Sequence, residues 1–336
     1  MTSGKIETAY DLLQKSIDLL AGVLDIPFLE GYLESFGNLI DGQVKVQDGL
    51  PNEADTKQLN DWYQELAALD LSDGEKRQVT QLLMLAGAKS DQLSANHQLT
   101  PDSLGYLFLF LLEQFFSQKK QLTILDPTSG LGNLLTTVLV GAKESKKDFR
   151  AIGVENDDLL IEVAGANAEY LDLPIQYFHQ DALQPLLIEP VDAVIADLPI
   201  GFYPQKDVAQ KFITGKNVTE ELAYAHHLLI EASFKYVKED CVALFLVPTK
   251  LFESAQAMHF TQWLKESAYL QGMIALPKKL FQNTDSQKSI LILQKPGSTS
   301  QQAPEVLLLQ LGDLQKPSEV QKFAQQFTTW KTENLK

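Results

Sequence analysis

LTILDPTSGLGNLL (122–135) decides how this chain is read. A short apolar run ends at Asp126. A Pro-Thr-Ser-Gly-Leu-Gly turn follows, and apolar residues then resume at helical spacing, giving strand, tight turn and helix. Gly130 and Gly132 permit the turn and a close approach of backbone to a ligand. The dinucleotide fingerprint wants a third Gly or Ala at position 135, where Leu135 stands. With no evident hydride-transfer partner, that disfavours a nicotinamide dehydrogenase.

The same rhythm continues outward. The runs AIGVE (151–155), IQYFHQD (175–181), VDAVIAD (191–197), VALFLVP (242–248), LQGMIALP (270–277) and SILILQK (289–295) alternate with segments long enough for helices. With the first run they make seven strands. The fold class expected is therefore α/β, a Rossmann-like seven-stranded, mostly parallel sheet with helices on both faces. Only KKLFQNTDSQK separates the last two runs, so the final strand is expected to be antiparallel. EVLLLQL (305–311) reads as a further edge strand and PSEVQKFAQQFTTWK as a terminal helix. Upstream, IETAYDLLQKSIDLLAGVL, TKQLNDWYQELAAL and EKRQVTQLLMLAGA carry helical spacing. GNLIDGQVKVQDGLPNEAD (37–55) reads as loop or short hairpin. Polar SDQLSANHQ (90–98) marks a boundary, after which TPDSLGYLFLFLLEQFF opens a helix at a Pro. The expected organisation is a smaller helical N-terminal domain (1–95), a sheet domain (96–298) and a C-terminal edge strand with its helix (299–336).

Composition narrows the function classes. The 336 residues are 45% hydrophobic and 21% charged, ordinary for a globular protein. No apolar run is long enough to span a bilayer, so no membrane role is expected. The N-terminus lacks a basic region followed by an apolar block, and the single Cys241 lies in a strand-like run, which suits a reducing cytoplasm. The net charge of −16 opposes simple electrostatic binding of nucleic acid. Residues 1–95 hold 7 Lys and Arg against 16 Asp and Glu, whereas 273–296 carry Lys278, Lys279, Lys288 and Lys295 against Asp285 alone. Arg77 and Arg150 are the only arginines, which nearly excludes reading guanine with bidentate Arg.

In an open sheet of this kind, ligands bind beyond the carboxyl ends of the strands. Each of the first four runs ends in a carboxylate: Asp126, Glu155, Asp181 and Asp197. Four acceptors in succession suit a ligand rich in hydroxyls and amines, with Glu155 placed for two ribose hydroxyls.

DPTSGLGN, GVEND, HQDAL, ADLPIGFYP and LFQNTDSQKSILILQK occur in the order found in class I S-adenosylmethionine-dependent methyltransferases. More closely, residues 96–296 resemble N6-adenine DNA methyltransferases of the type I restriction–modification M-subunit kind. The upstream HQLTPDSLG resembles their TP segment, and a helical N-terminal domain is typical of the group. The resemblance implies S-adenosylmethionine as cofactor. Thr100 and Asp126, with the turn containing Thr128, Gly130 and Gly132, would hold its methionine end. Glu155 would take the ribose hydroxyls, and Asp181 its adenine amine beside the Ala182 backbone N–H. Asn133 and Asn156 complete the implied cofactor set. DNA is the implied substrate, with a protein partner for target recognition.

The family's catalytic motif is Asn/Asp-Pro-Pro-aromatic. An acid side chain and the next backbone carbonyl accept the two N–H bonds of a base amine, and the aromatic ring stacks on the flipped base. Here the motif reads Asp197-Leu198-Pro199-Ile200. Leu198 keeps a carbonyl without the fixed φ of Pro, and Ile200 offers no ring, so Phe202 or Tyr203 is the replacement stacking residue. Asp197 is otherwise a strand-end acid that satisfies turn N–H groups, with Pro199 shaping the turn.

His226 and His227 are adjacent in a helical pattern, about 100° apart, which fits core or cap roles and not one metal. His179 reads as a packing residue and Cys241 as a small core residue. Lys278, Lys279 and Lys288 either touch phosphate or are solvated. No metal site is expected. The reading is an N-methyltransferase acting on N6 of adenine in DNA. The alternatives are methylation of RNA or of a protein amide nitrogen, or a cofactor-binding interaction protein without catalysis.

Overall fold

The computed structural model describes residues 2–94, 97, 99–216, 218, 222–281 and 287–335. In chain order the elements are α1 (Thr2–Leu24), α2 (Phe28–Asp41), α3 (Glu53–Ala68), α4 (Asp73–Ser90), α5 (Asp102–Phe115), β1 (Gln121–Asp126), α6 (Asn133–Glu144), β2 (Asp148–Glu155), α7 (Asp158–Tyr170), β3 (Ile175–His179), β4 (Val191–Asp197), α8 (Lys206–Ala209), α9 (Ala225–Phe234), β5 (Val237–Pro248), α10 (Ala257–Ser267), β6 (Tyr269–Ala275), β7 (Lys288–Gln294), β8 (Leu307–Gln310) and α11 (Pro317–Asn334). The QNTDS part of LFQNTDSQKSILILQK, with Asp285, lies outside the described residues. The strand order is β3-β2-β1-β4-β5-β7-β6-β8. The sheet thus has eight strands, because the 305–311 run joins it as β8, parallel to β6. β7 inserts antiparallel between β5 and β6, as the short connection requires.

The chain gathers into two compact units, residues 1–106 with 129–179 and residues 107–128 with 180–336. In the first, β2 and β3 pair in parallel from Ala151↔Ile175 to Glu155↔His179. Ile17, Leu29, Tyr32, Phe36 and Leu83 from α1, α2 and α4 share one apolar core with Leu160 and Val163 of α7. Tyr32 stacks on Phe36 with ring centroids 4.0 Å apart. Its hydroxyl donates to Asn167 of α7, and burial pushes that phenol well above its usual pKa. A buried hydroxyl demands a partner of this kind.

The end of α2 departs from the expectation of loop or short hairpin at 37–55. Residues 37–41 are helical, and only a bridge between Gln47 and Leu50 is hairpin-like. Gly31, inside α2, is used for packing. A Cβ on Gly31 would stand 3.0 Å from Ala21 Cβ and 3.0 Å from the Ile17 carbonyl, so Gly31 lets α1 and α2 approach closely. The first N–H groups of α2, on Phe28 and Leu29, donate to the Asp91 carboxylate at 3.1 and 2.8 Å. That cap comes from 63 residues away and leaves no local signature.

The second unit holds β1, β4, β5, β7, β6 and β8. β4 is buried along its length to Ala196 and emerges at Asp197. β1 pairs with β4 through Ile124↔Ala193, and β4 with β5 through Asp197↔Leu246. α11 lays Phe323 and Phe327 against Phe110 of α5. Among the described residues no helix is long and apolar enough to cross a membrane.

The Gly-rich turn generates a stability prediction. Gly132 has φ +80°, and a Cβ there would stand 2.6 Å from Tyr177 Oη and 3.1 Å from Ala164 Cβ. Gly132→Ala is expected to cost about 1–3 kcal/mol through backbone strain and this collision, read as a lower urea midpoint. An unchanged midpoint would exclude the tight packing of Tyr177 over the turn.

Candidate functional site

In the first unit, the turn after β1 is held from both sides. Glu155, at the end of β2, accepts from Gly130 N at 2.9 Å with one oxygen and from Asn156 N and Asp157 N at 2.8 and 3.1 Å with the other. A carboxylate fixed by backbone donors presents its remaining lone pairs in set directions. Asn133, the first residue of α6, is buried and donates through Nδ2 to the Thr100 carbonyl at 2.6 Å. Its Oδ1 is buried with no hydrogen-bond partner. A Cβ built on Gly130 would meet nothing within 4 Å, so the turn's backbone faces open space. His179 is not a packing residue. Its side chain is half-exposed, with Nε2 3.0 Å from the Asp158 carboxylate and 3.1 Å from the Asn156 carbonyl.

In the second unit, Asp126 is buried at the end of β1 and accepts from Thr128 N at 3.0 Å. β3 stops at His179, so Asp181 lies in the turn beyond it. One Asp181 oxygen accepts from Leu183 N at 2.9 Å and the other from the Tyr203 hydroxyl at 2.6 Å. Ala182 beside it is buried. Burial and then the Asp181 contact raise the Tyr203 phenol above its ordinary pKa.

The loop after β4 separates the two aromatic candidates. Tyr203 is turned to Asp181. Phe202 is 52% exposed and has one face stacked on Tyr224, with centroids 4.9 Å apart and planes inclined by 17°. A bridge between Phe202 and Tyr224 fixes the pair, with Tyr203 N donating to the Ala223 carbonyl at 2.8 Å. Gln256, buried before α10, clamps the far side: Tyr224 N donates to its Oε1 at 3.0 Å, and its Nε2 donates to the Leu222 carbonyl at 2.9 Å. Sequence reasoning missed Tyr224 and Gln256, whose contacts span 22 and 32 positions.

Asp197 sits where β4 leaves the core, with a side chain 21% exposed. Leu198 is fully buried and its N–H donates to the Leu246 carbonyl at 3.2 Å, continuing the β4–β5 ladder by one bond. A proline could not make that bond. The sheet therefore fixes the Leu198 carbonyl where the sequence suggested it had lost its constraint. Pro199 follows, half-buried. Thr128 Oγ1 stands 3.5 Å from the Asp197 carbonyl. Lys288, the first residue of β7, crosses the end of β5 to this point. Its Nζ donates to an Asp197 carboxylate oxygen and, at 3.1 Å, to the Leu198 carbonyl. Two acceptors thus converge on one amine nitrogen. Of the other lysines singled out, Lys279 pairs with Asp313.

His226 and His227 open α9 and are buried, with rings 4.7 Å apart. Burial, and secondarily the charge of Lys288, lowers His226 to a pKa of about 4. Burial, with His226 and His259, lowers His227 to about 3. Both are core groups, as their helical placement suggested. Among the described residues no group of three metal-ligating side chains occurs.

The histidines set an acid limit. Each folded pKa lies below the free value of about 6.5, so the unfolded chain takes up protons first as pH falls. Their contribution is intact above about pH 6.5 and is lost as pH falls toward about 4 for His226 and about 3 for His227. Urea unfolding between pH 7.5 and 4.5 is expected to show a slope that His227→Phe makes shallower by up to ~1.4 kcal/mol per pH unit. An identical slope in the variant would contradict a neutral buried His227.

The family model for N-6 DNA Methylase matches residues 82–334, and that for the YtxK N-terminal helical domain matches residues 7–88. YtxK of Bacillus subtilis, an uncharacterized protein, is 35% identical over 330 residues, 98% of each chain. A crystal structure from Listeria monocytogenes, of a candidate class I S-adenosylmethionine-dependent methyltransferase, is 34% identical with a TM-score of 0.88, covering 97% of this chain and 99% of that one. The type I restriction–modification methyltransferase subunit of Streptococcus thermophilus shares the fold at 16% identity and a TM-score of 0.65, over 93% of this chain and 73% of its own.

Proposed function

The chain belongs to the N-6 DNA methylase family, and we propose that it is an S-adenosylmethionine-dependent N-methyltransferase whose acceptor is N6 of adenine in DNA. One observation carries the reading. Asp197 and the Leu198 carbonyl already bond a single amine nitrogen, that of Lys288. These are the acceptors an exocyclic amine needs.

The residues present fit the cofactor. The partnerless Asn133 Oδ1, the open face of Gly130 and the fixed Glu155 carboxylate suit a ligand with an ammonium group and vicinal hydroxyls. Thr100, Asp126, Thr128, Gly130, Gly132 and Asn133 would hold its methionine end. Glu155 and Asn156 would hold the ribose, and Asp181 with Ala182 the adenine. Bound there, S-adenosylmethionine supplies an electrophilic methyl group on sulfur. The chain's own contribution is positional. Asp197 and Leu198 accept the two amine N–H bonds, which weakens conjugation of the nitrogen lone pair with the base. Leu198 is fixed by its bond to Leu246, Pro199 shapes the turn, and Phe202, backed by Tyr224, offers its exposed face to the flipped ring. Stacking of that kind contributes roughly 1–3 kcal/mol per base. Tyr203 braces Asp181. We retain the domain division 1–95, 96–298 and 299–336 as part of this proposal, with a protein partner supplying target recognition for a chain so acidic.

Two variants separate the roles. Glu155→Ala is expected to weaken S-adenosylhomocysteine in calorimetric titration by about 10- to 100-fold, the loss of charge-assisted hydrogen bonds. Asp197→Ala is expected to leave that affinity within about twofold and to abolish transfer of labelled methyl to duplex DNA. Parallel loss of cofactor binding and transfer in Asp197→Ala would overturn its assignment to the amine.

A further inference from the structure

The Lys288 contact has a consequence for substrate choice. Its ammonium holds both acceptors that a target amine needs, so the acceptor pair is masked by the protein's own amine. A neutral base amine that displaced it would exchange an ion-paired bond to Asp197, charged on both sides, for one charged on the acceptor side alone, and a cationic donor to the Leu198 carbonyl for a neutral one. It would also strand an ammonium whose side chain is 18% exposed. That exchange is unfavourable unless the displaced ammonium finds another anion.

We propose that Lys288 is a specificity-determining residue, which yields Asp197 and Leu198 only to an amine carried beside a phosphate, as in a nucleic acid strand. The inference rests on the amine-acceptor reading of Asp197. Three further observations support it. Lys288 begins β7, so its backbone is fixed by pairing with Pro248 while its four-carbon stem can swing the head group. The neighbouring His226 is held neutral at ordinary pH by burial, so it does not share the positive charge of Lys288. Phe202 exposes a ring face on the same loop, so a flat base has a platform near the masked amine site. A nucleotide brings the three matching groups together: ring, amine and flanking phosphate. A protein glutamine amide brings the amine without the ring or the phosphate. On a chain with net charge −16, general attraction to phosphate is absent, so a locally released lysine would carry much of the discrimination.

The test measures binding of deoxyadenosine and of a deoxyadenosine trinucleotide, both in saturating S-adenosylhomocysteine, to wild type and Lys288→Met. Wild type is expected to bind the trinucleotide far better than the nucleoside. In Lys288→Met the nucleoside should gain about tenfold, equivalent to ~1.4 kcal/mol, and the trinucleotide's advantage should shrink. A merely structural lysine would not produce a gain on removal. Nucleoside affinity that does not rise in the folded variant overturns the proposal. If Asp197→Ala has meanwhile abolished methyl transfer, the amine-acceptor reading survives that failure; if Asp197→Ala transfers normally, both fall. A measurement on wild type needs no stable variant. With ¹⁵N-lysine labelling, the protected Lys288 ammonium resonance, assigned from its loss in Lys288→Arg, should shift with saturating trinucleotide and stay in place with nucleoside. No shift with trinucleotide overturns the proposal, as does an equal shift with a glutamine peptide.

Discussion

A carboxylate at the end of a buried strand has to be given hydrogen-bond donors, and the loops beyond the strands of this protein are arranged to supply them. Asp126 takes Thr128 N, Glu155 takes Gly130, Asn156 and Asp157 N–H groups, and Asp181 takes Leu183 N and the Tyr203 hydroxyl. Backbone N–H groups of the local turn thus serve the first three acids. Asp197 counts among its partners an ammonium brought from 91 residues away. The distinction matters chemically. A turn N–H cannot leave without unfolding the turn, whereas a lysine head group can be exchanged for another donor at the cost of one ion pair.

The sequence carried the strands because burial on both faces forces continuous apolar runs, and their terminal acids mark where the runs meet water. Asp126, Glu155 and Asp197 stand at those ends. It also carried the antiparallel direction of β7, since eleven residues cannot make a crossover. What it did not carry depends on long-range contact. α2 contains Gly31 and Gly37, which lower helix propensity, yet Gly31 is what lets α1 and α2 touch. Its cap, Asp91, belongs to a distant loop. His179 reads as a packing residue from its sequence, but it is the last residue of β3, where its side chain reaches solvent and Asp158.

The site was legible to a similar depth. Residue types and spacing located the acceptors, but not the donors that occupy them. Tyr203 and Phe202 are adjacent and chemically alike at sequence level. A β-bridge to Tyr224 sends Phe202 outward and Tyr203 toward Asp181. That local bridge is what leaves one of two adjacent rings available to a ligand and turns the other away.

The departures from Asn/Asp-Pro-Pro-aromatic can now be weighed as physical substitutions. Proline after the acid limits φ but forfeits a donor. Leu198 has the donor and spends it on Leu246, so one sheet hydrogen bond replaces a ring as the constraint on the carbonyl. An aromatic at position 200 would present its face directly, whereas Ile200 cannot, and the ring is supplied two residues later, with Tyr224 behind it and Gln256 behind Tyr224. Each lost feature is thus matched by a contact from a different element, β5 for the carbonyl and the segment leading into α9 for the ring. A loop held by separate elements is stiffer than its own sequence indicates. The Lys288 head group sits at the end of a four-carbon stem on a paired strand, so it can be exchanged for another donor without rearranging the loop, and in the proposed reaction that exchange opens Asp197 to the incoming amine.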